Sequence, residues 1–274
     1  MMDEQRLDSA ISERGLARSR EKARAMIKAG RVSVDGRVVK KAATAVGENS
    51  RIEIAAAPED RWASRGALKL LSVLDLWEPQ GLSLAGKRVL DAGASTGGFS
   101  DVCLDRGAKK VYAVDVGHDQ LIARLAEDPR IKNLEATNIR ELDRDMLDGE
   151  AVDLMVGDLS FISLKLVLPV IAQCVREGAD LLPMVKPQFE VGKERLSRTG
   201  VVKSPELRAE VTLDIARCAA DLGLSTLGVV ASALPGPSGN VEYFLWLRAD
   251  AGAQAPSETQ LSDMVSRAIK EGPQ

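Results

Sequence analysis

Four charged residues, Lys69, Asp158, Lys186 and Glu242, stand at places where an α/β fold exposes its chemistry. Asp158 ends the apolar run 152–157, Lys186 ends the run 179–185, and Glu242 opens the last such run, 242–247. Lys69 lies on a helical stretch, 65–76, just ahead of the first apolar run at 88. If these runs are strands of one mostly parallel sheet, ligands bind at their carboxyl ends, and the four residues converge there. A lysine closing an apolar strand is the least ordinary of the four. Near a positively charged ligand centre and a second lysine its pKa falls, and it can take a proton near neutral pH. Asp158 and Glu242 would steer the lysines and hold an acceptor hydroxyl. A pair of structural salt bridges is the plainer alternative.

The segment 88–101, RVLDAGASTGGFSD, is a strand running into a glycine-rich turn and then a helix. Glycine lets the backbone of Gly93-Ala94-Ser95-Thr96-Gly97-Gly98 take left-handed angles and approach a ligand closely. The turn is not a phosphate loop of the Walker type, because Phe99 stands where that loop needs lysine. It also misses the dinucleotide spacing, because Ser95 occupies the second glycine position. Asp115 closes the next strand, where a carboxylate accepts from both hydroxyls of a ribose. Asp91, before the turn, can face a positive amino or sulfonium end. An acid, a glycine turn and a second acid at the next strand end is the layout of class I methyltransferases that use S-adenosylmethionine. A nicotinamide or flavin enzyme is the alternative.

Strand and helix signals alternate to place these residues. Strands are expected at 88–91, 110–115, 133–138, 152–158, 179–186, 226–231 and 242–247, with helices at 99–106, 121–126, 166–176 and 206–222. Alternation with short loops implies a doubly wound, mostly parallel sheet. The helix-free link 234–240 implies an antiparallel last strand, at the end of the order. The expected apolar face of the helix 65–76 is Leu68, Leu71, Val73, Leu74 and Leu76. Ahead of it, residues 61–66 are an expected interdomain linker in which Trp62 packs as an anchor rather than stacking on a base. A polar tail with one short helix is expected at 251–274.

The net charge of −3 over 274 residues hides an asymmetry. Residues 1–64 carry 13 Lys/Arg against 10 Asp/Glu, and within 14–41 ten basic residues face only Glu21 and Asp35. A field of that sign suits a polyphosphate, although a solvated basic face has the same composition. In this first segment residues 3–8 open a helix that carries Leu7, Ala10 and Ile11. A second helix follows from N-cap Ser19 to Gly30, then a hairpin around Asp35-Gly36 and a short strand at 51–54. No run spans a membrane, the N-terminus has no secretory h-region, and Cys103, Cys174 and Cys218 are expected as buried thiols of a cytoplasmic protein. His118, the single histidine, is expected at the surface.

The first segment resembles the S4 RNA-binding domain through Arg6-Leu7-Asp8, Ser19-Arg20 to Gly30, and Val32-Ser33-Val34-Asp35-Gly36. Lys69, Asp158, Lys186 and Glu242 match the K-D-K-E tetrad of the FtsJ-like RNA 2′-O-methyltransferases. With SRGALKL (64–70), DLSFISL (158–164) and VKPQFEVG (185–192), nearly the whole chain resembles the TlyA family. Leu68 departs from the pattern, standing where many relatives have His.

The resemblance implies a class I, Rossmann-like seven-stranded sheet at 67–250, preceded by a small α+β S4 domain at 1–60. It implies 2′-O-methylation of cytidine in ribosomal RNA, of the large subunit and also the small one, which sensitises ribosomes to capreomycin-type antibiotics. S-adenosylmethionine would be held by Asp91, Gly93, Ala94, Ser95, Thr96, Gly97, Gly98, Phe99, Asp115, Val116, Asn138 and Asp158. RNA would be gripped by Arg6, Arg18, Arg20, Lys22, Arg24, Lys41 and Arg65. The expected protein is a monomer without metal or membrane. Family members also carry the label haemolysin, so a membrane-active protein is one competing class and a non-catalytic RNA-binding ribosome factor another.

Overall fold

The computed structural model describes residues 4–236, 238–250 and 255–273, in two compact units divided between Arg61 and Trp62. In the first unit, β1 (Gln5–Arg6) runs into α1 (Leu7–Glu13), followed by α2 (Arg20–Lys28), β2 (Val32–Val34), β3 (Arg37–Val38), β4 (Ala45–Val46) and β5 (Ile52–Ile54). Ser19 caps α2 by accepting from Lys22 N–H at 3.2 Å. Asp35 and Gly36 both take positive φ, as a tight β2–β3 hairpin demands. The helix expected from residue 3 begins only at Leu7, because Gln5 and Arg6 pair with β4 instead; Asp3 itself lies outside the described residues. Leu7, Ile11, Ala23, Ile27, Val32 and Val46 close the small core.

The second unit opens with α3 (Gly66–Trp77), then β6 (Arg88–Ala92), α4 (Gly98–Asp105), β7 (Lys110–Val114), α5 (Ala123–Ala126), β8 (Ile131–Leu134), β9 (Val152–Gly157) and α6 (Leu164–Cys174). β10 (Val175–Val185), α7 (Pro187–Glu190), α8 (Pro205–Asp221), β11 (Leu224–Ala231), β12 (Tyr243–Ala249) and α9 (Glu258–Glu271) complete it. Its seven strands lie in the order β11-β12-β10-β9-β6-β7-β8. Alternate residues of each central strand enter opposite layers. Leu90 and Met155 pack toward α6, α8 and α9, while Val89, Leu154 and Val156 pack toward α3 and α4.

Three expectations change. β12 is antiparallel, but it inserts between β10 and β11, so β11 takes the edge. β8 occupies 131–134 rather than 133–138, because the chain turns at Ala136 with φ +56°. The buried face of α3 is Ala67, Lys69, Leu70, Val73, Leu74 and Trp77, leaving Leu76 exposed. Trp62 and Ala63, in the stretch expected as linker, are buried in this unit's core. α9 begins with a full capping box at Ser257 and Gln260, and buries Leu261, Val265, Ala268 and Ile269. Cys103 and Cys174 are buried free thiols, Cys218 is half-buried, and His118 is exposed.

Candidate active site

β6, β9 and β10 run parallel, so their carboxyl ends share one edge. β12 runs the other way, with Tyr243 opposite Val185, which sets Glu242 beside Lys186 at that edge. Asp158 follows β9 and donates its N–H to Ala92 O at 3.0 Å. Lys69 arrives from α3, whose entry is pinned where Ala63 N–H meets Asp101 Oδ2 at 2.8 Å. Gly98 admits the Ser64 side chain where any Cβ would collide with it.

The four residues form one chain of alternating charge. Glu242 Oε2 lies 2.6 Å from Lys69 Nζ, which lies 3.6 Å from Asp158 Oδ2. Asp158 Oδ1 lies 2.6 Å from Lys186 Nζ, which also donates to Ser160 Oγ at 2.8 Å. Glu242, Lys69 and Lys186 are buried, and Asp158 is the most open of the four. Two anions and two cations sum to zero, which is how four charges tolerate burial. Lys186 alone reaches toward the surface loop, with its ammonium 5.9 Å from the Phe189 ring centre. Phe161, tilted on Phe189 at 5.2 Å, is 92% exposed and has φ +64°, so an aromatic face is held out beside Lys186 at some backbone cost.

The glycine turn lies at the same edge. Gly93 and Ala94 donate to Val114 O at 2.9 and 3.1 Å, stitching the turn to β7. Gly93, Ser95 and Gly97 all have positive φ. A side chain at Gly93 would meet Asp158 O at 3.0 Å, so this glycine also lets the tetrad segment approach the turn. Asp115 Oδ2 accepts from Ser95 N–H at 2.8 Å, and Oδ1 from Gly117 N–H at 2.7 Å. Thr96 O accepts from Ile122 N–H at 3.4 Å, and Val116 is exposed beside the turn.

Three of the expected cofactor residues have partners of their own within the protein. Phe99 is buried against Phe244, ring centres 6.1 Å apart, so its ring is part of the core at the start of α4. Asn138 accepts from Arg140 N–H at 3.1 Å as the cap of a short helical turn. Asp91 is fully buried beneath the turn, with Oδ2 accepting from Ser100 Oγ at 2.7 Å and Oδ1 without a partner. Burial, reinforced by Asp158 and Asp115, pushes its pKa up to about 7.

That orphaned carboxylate oxygen fits a cationic ligand seated on the turn. With the folded pKa above the unfolded one, ionising Asp91 works against the empty protein as pH rises from the ordinary carboxylate range to about 7. A cation beside Oδ1 favours the ionised form, so affinity for a cationic ligand should rise with pH up to about 7 and then level. Calorimetric titration across pH 5.5–8.5 is the check, and Asp91→Asn should flatten that profile.

Other residues at this edge carried no sequence signal. Glu135 accepts from the N–H groups of Asp119, Gln120 and Leu121 at 3.2, 2.7 and 2.8 Å, holding the loop after β7. Those backbone donors lower its pKa despite burial. Asn240, buried, accepts from Val202 N–H and donates to Gly200 O, both at 2.9 Å. A side chain at Gly236 would meet Glu242 Oε1 at 2.6 Å.

In the first unit Arg6, Arg18, Arg20, Arg24 and Lys41 are exposed and Lys22 is half-buried. Arg14 is spent on the fold, donating to Ser50 O and Gly47 O at 2.7 and 2.9 Å. Arg65 is exposed at the start of α3 in the second unit.

A family model described as FtsJ-like methyltransferase matches residues 62–249, and one for the S4 domain matches 5–52. Over 268 residues, 98% of either chain, the protein is 51% identical to the 16S/23S rRNA (cytidine-2′-O)-methyltransferase TlyA of Mycobacterium tuberculosis. Over 68% of its length, and 70% of the relative, it is 35% identical to the 23S rRNA (cytidine-2′-O)-methyltransferase TlyA of Campylobacter jejuni. A solved structure from Streptococcus thermophilus, described as a candidate hemolysin, superposes with a TM-score of 0.77 at 33% identity, covering 99% of this chain and 98% of that one.

Proposed function

Because the chain belongs to the TlyA family of FtsJ-like methyltransferases with an S4 domain, we propose that it methylates the 2′-hydroxyl of cytidine in ribosomal RNA, with S-adenosylmethionine as donor. The observation that carries this reading is the alternating Glu242–Lys69–Asp158–Lys186 chain, at the sheet edge that also presents the glycine turn. Both subunits are substrates in this reading, as the name of the Mycobacterium tuberculosis relative states for that protein. The enzyme then works in the cytoplasm as a monomer without metal. Among the described residues no helix is long and apolar enough to cross a membrane.

Gly93 to Gly98, Asp115 and Asp91 would hold the donor, with Phe99 contributing its backbone. When bound it supplies an activated methyl carbon, so that the O2′–C bond forms as the S–C bond breaks. The target cytidine leaves its stack to reach the edge. Phe161 offers the base a face on which to lie. Lys186, steadied by Asp158 and Ser160, works in this step as the neutral amine: having released one proton to solvent, it accepts the 2′-hydroxyl proton as the methyl is transferred and returns to the ammonium. Asp158, Lys69 and Glu242 keep that ammonium in line, and since little covalent work remains, positioning supplies most of the acceleration.

The test uses 30S and 50S subunits from cells that lack the protein, incubated with it and methyl-labelled donor. Label is expected on cytidine ribose, read as 2′-O-methylcytidine after nuclease digestion. Subunits that stay unlabelled, or labelled on a base, would overturn the reading.

A further inference from the structure

Asp8 is the one acid at the centre of the first unit's basic face. Its carboxylate is fully buried, yet three half-exposed guanidiniums close over it. Arg6 reaches it through Nε at 2.9 Å and Nη2 at 3.3 Å, Arg20 through Nη2 at 3.2 Å and Arg24 through Nε at 2.7 Å. These arginines come from β1 and α2, so no single element sets their relation; Asp8 does. The backbone N–H of Asp8 also donates to Ala42 O at 3.1 Å, which ties the start of α1 to the segment before β4.

We propose that Asp8 is a positioning residue for RNA: it presets Arg6, Arg20 and Arg24 as one array of outward-facing donors for successive phosphates. The proposal rests on the RNA-binding reading above. Each guanidinium has five N–H donors and spends one or two on Asp8, so the rest remain for a ligand. A free arginine gives up rotamer entropy when it is immobilised, and an array fixed in advance has already lost much of it. Three cations around one anion leave the array with two net positive charges. Hydrogen bonds, from Arg6 foremost, hold the Asp8 carboxyl far below the usual carboxylate range, so the anion that organises the array is present at neutral pH.

Charge alone and positioning predict opposite signs. Asp8→Asn removes an anion from a basic face, so a pure field effect tightens RNA binding. The positioning role weakens it. In the full-length protein, Asp8→Asn is expected to bind 50S subunits about tenfold more weakly, with a shallower salt dependence and unchanged donor binding. Arg6→Lys keeps the charge while breaking the two-point contact, and is expected to weaken subunit binding about threefold; this second variant decides the matter if Asp8→Asn fails to fold. Unchanged or tighter binding in a folded Asp8→Asn protein overturns the proposal, as does wild-type binding by Arg6→Lys. Arg20→Gln with Arg24→Gln separates the two readings. If that pair leaves subunit binding intact, the RNA-binding reading itself fails; if it weakens binding while Asp8→Asn does not, only the role of Asp8 falls.

Discussion

Lys186→Ala is expected to lower methyl transfer by on the order of 10²–10⁴-fold, the span that a positioned proton acceptor supplies, while donor binding stays within about twofold. The separation follows from geometry. Lys186 is bound to Asp158 and Ser160 on the far side of β9 from the glycine turn, and no backbone donor of the turn depends on it. Folding should survive, because the carboxylate left behind is the most solvent-open of the four charges and keeps Lys69 at 3.6 Å. The measurements are single-turnover methylation of 50S subunits and calorimetric titration of the donor. Activity within tenfold of wild type would remove Lys186 from the chemistry.

Lys69→Ala is expected to damage stability as well as rate. Glu242 is 1% exposed and its nearest cation is Lys69 at 2.6 Å. Deleting that cation strands a buried carboxylate, a defect that costs about 3–5 kcal/mol. For a unit of this size each kcal/mol lowers Tm by about 2–4 °C. Adding Glu242→Gln should return most of the lost stability, because the stranded charge is gone, yet restore none of the activity. Thermal melts of the two single variants and the double variant measure this coupling. Strictly additive losses would mean that the pair is not a unit.

Much of the site was readable because strand ends are punctuated. Asp158 and Lys186 interrupt apolar runs, and a polar residue after such a run marks where the sheet stops and solvent begins. The hairpin at Asp35-Gly36 and the cap at Ser19 are equally local, since each follows from the angles or side-chain oxygen of a single residue. What stayed hidden depends on the partner a residue finds. Lys69 is expected at the edge but not on the buried face of α3, and only Glu242, far along the chain, makes its burial sensible. Gln5 and Arg6 continue a helical pattern until β4 offers them hydrogen bonds. Asp91 sits at the expected position but beneath the turn, and Phe161, Gly236 and Asn240 matter only through neighbours that no local pattern announces.

The insertion of β12 between β10 and β11 has a consequence for how the enzyme comes into being. Synthesis delivers the glycine turn, Asp115, Asp158 and Lys186 well before residue 242 leaves the ribosome. Until then β10 lacks its neighbour on that side, β11 has nothing to pair with, and Lys69 has no buried anion. The last strand of the sheet therefore delivers the last charge of the edge, and a chain made only as far as β11 holds the glycine turn without Glu242. Assembly of the four-charge chain thus waits on the strand that also fills the place between β10 and β11.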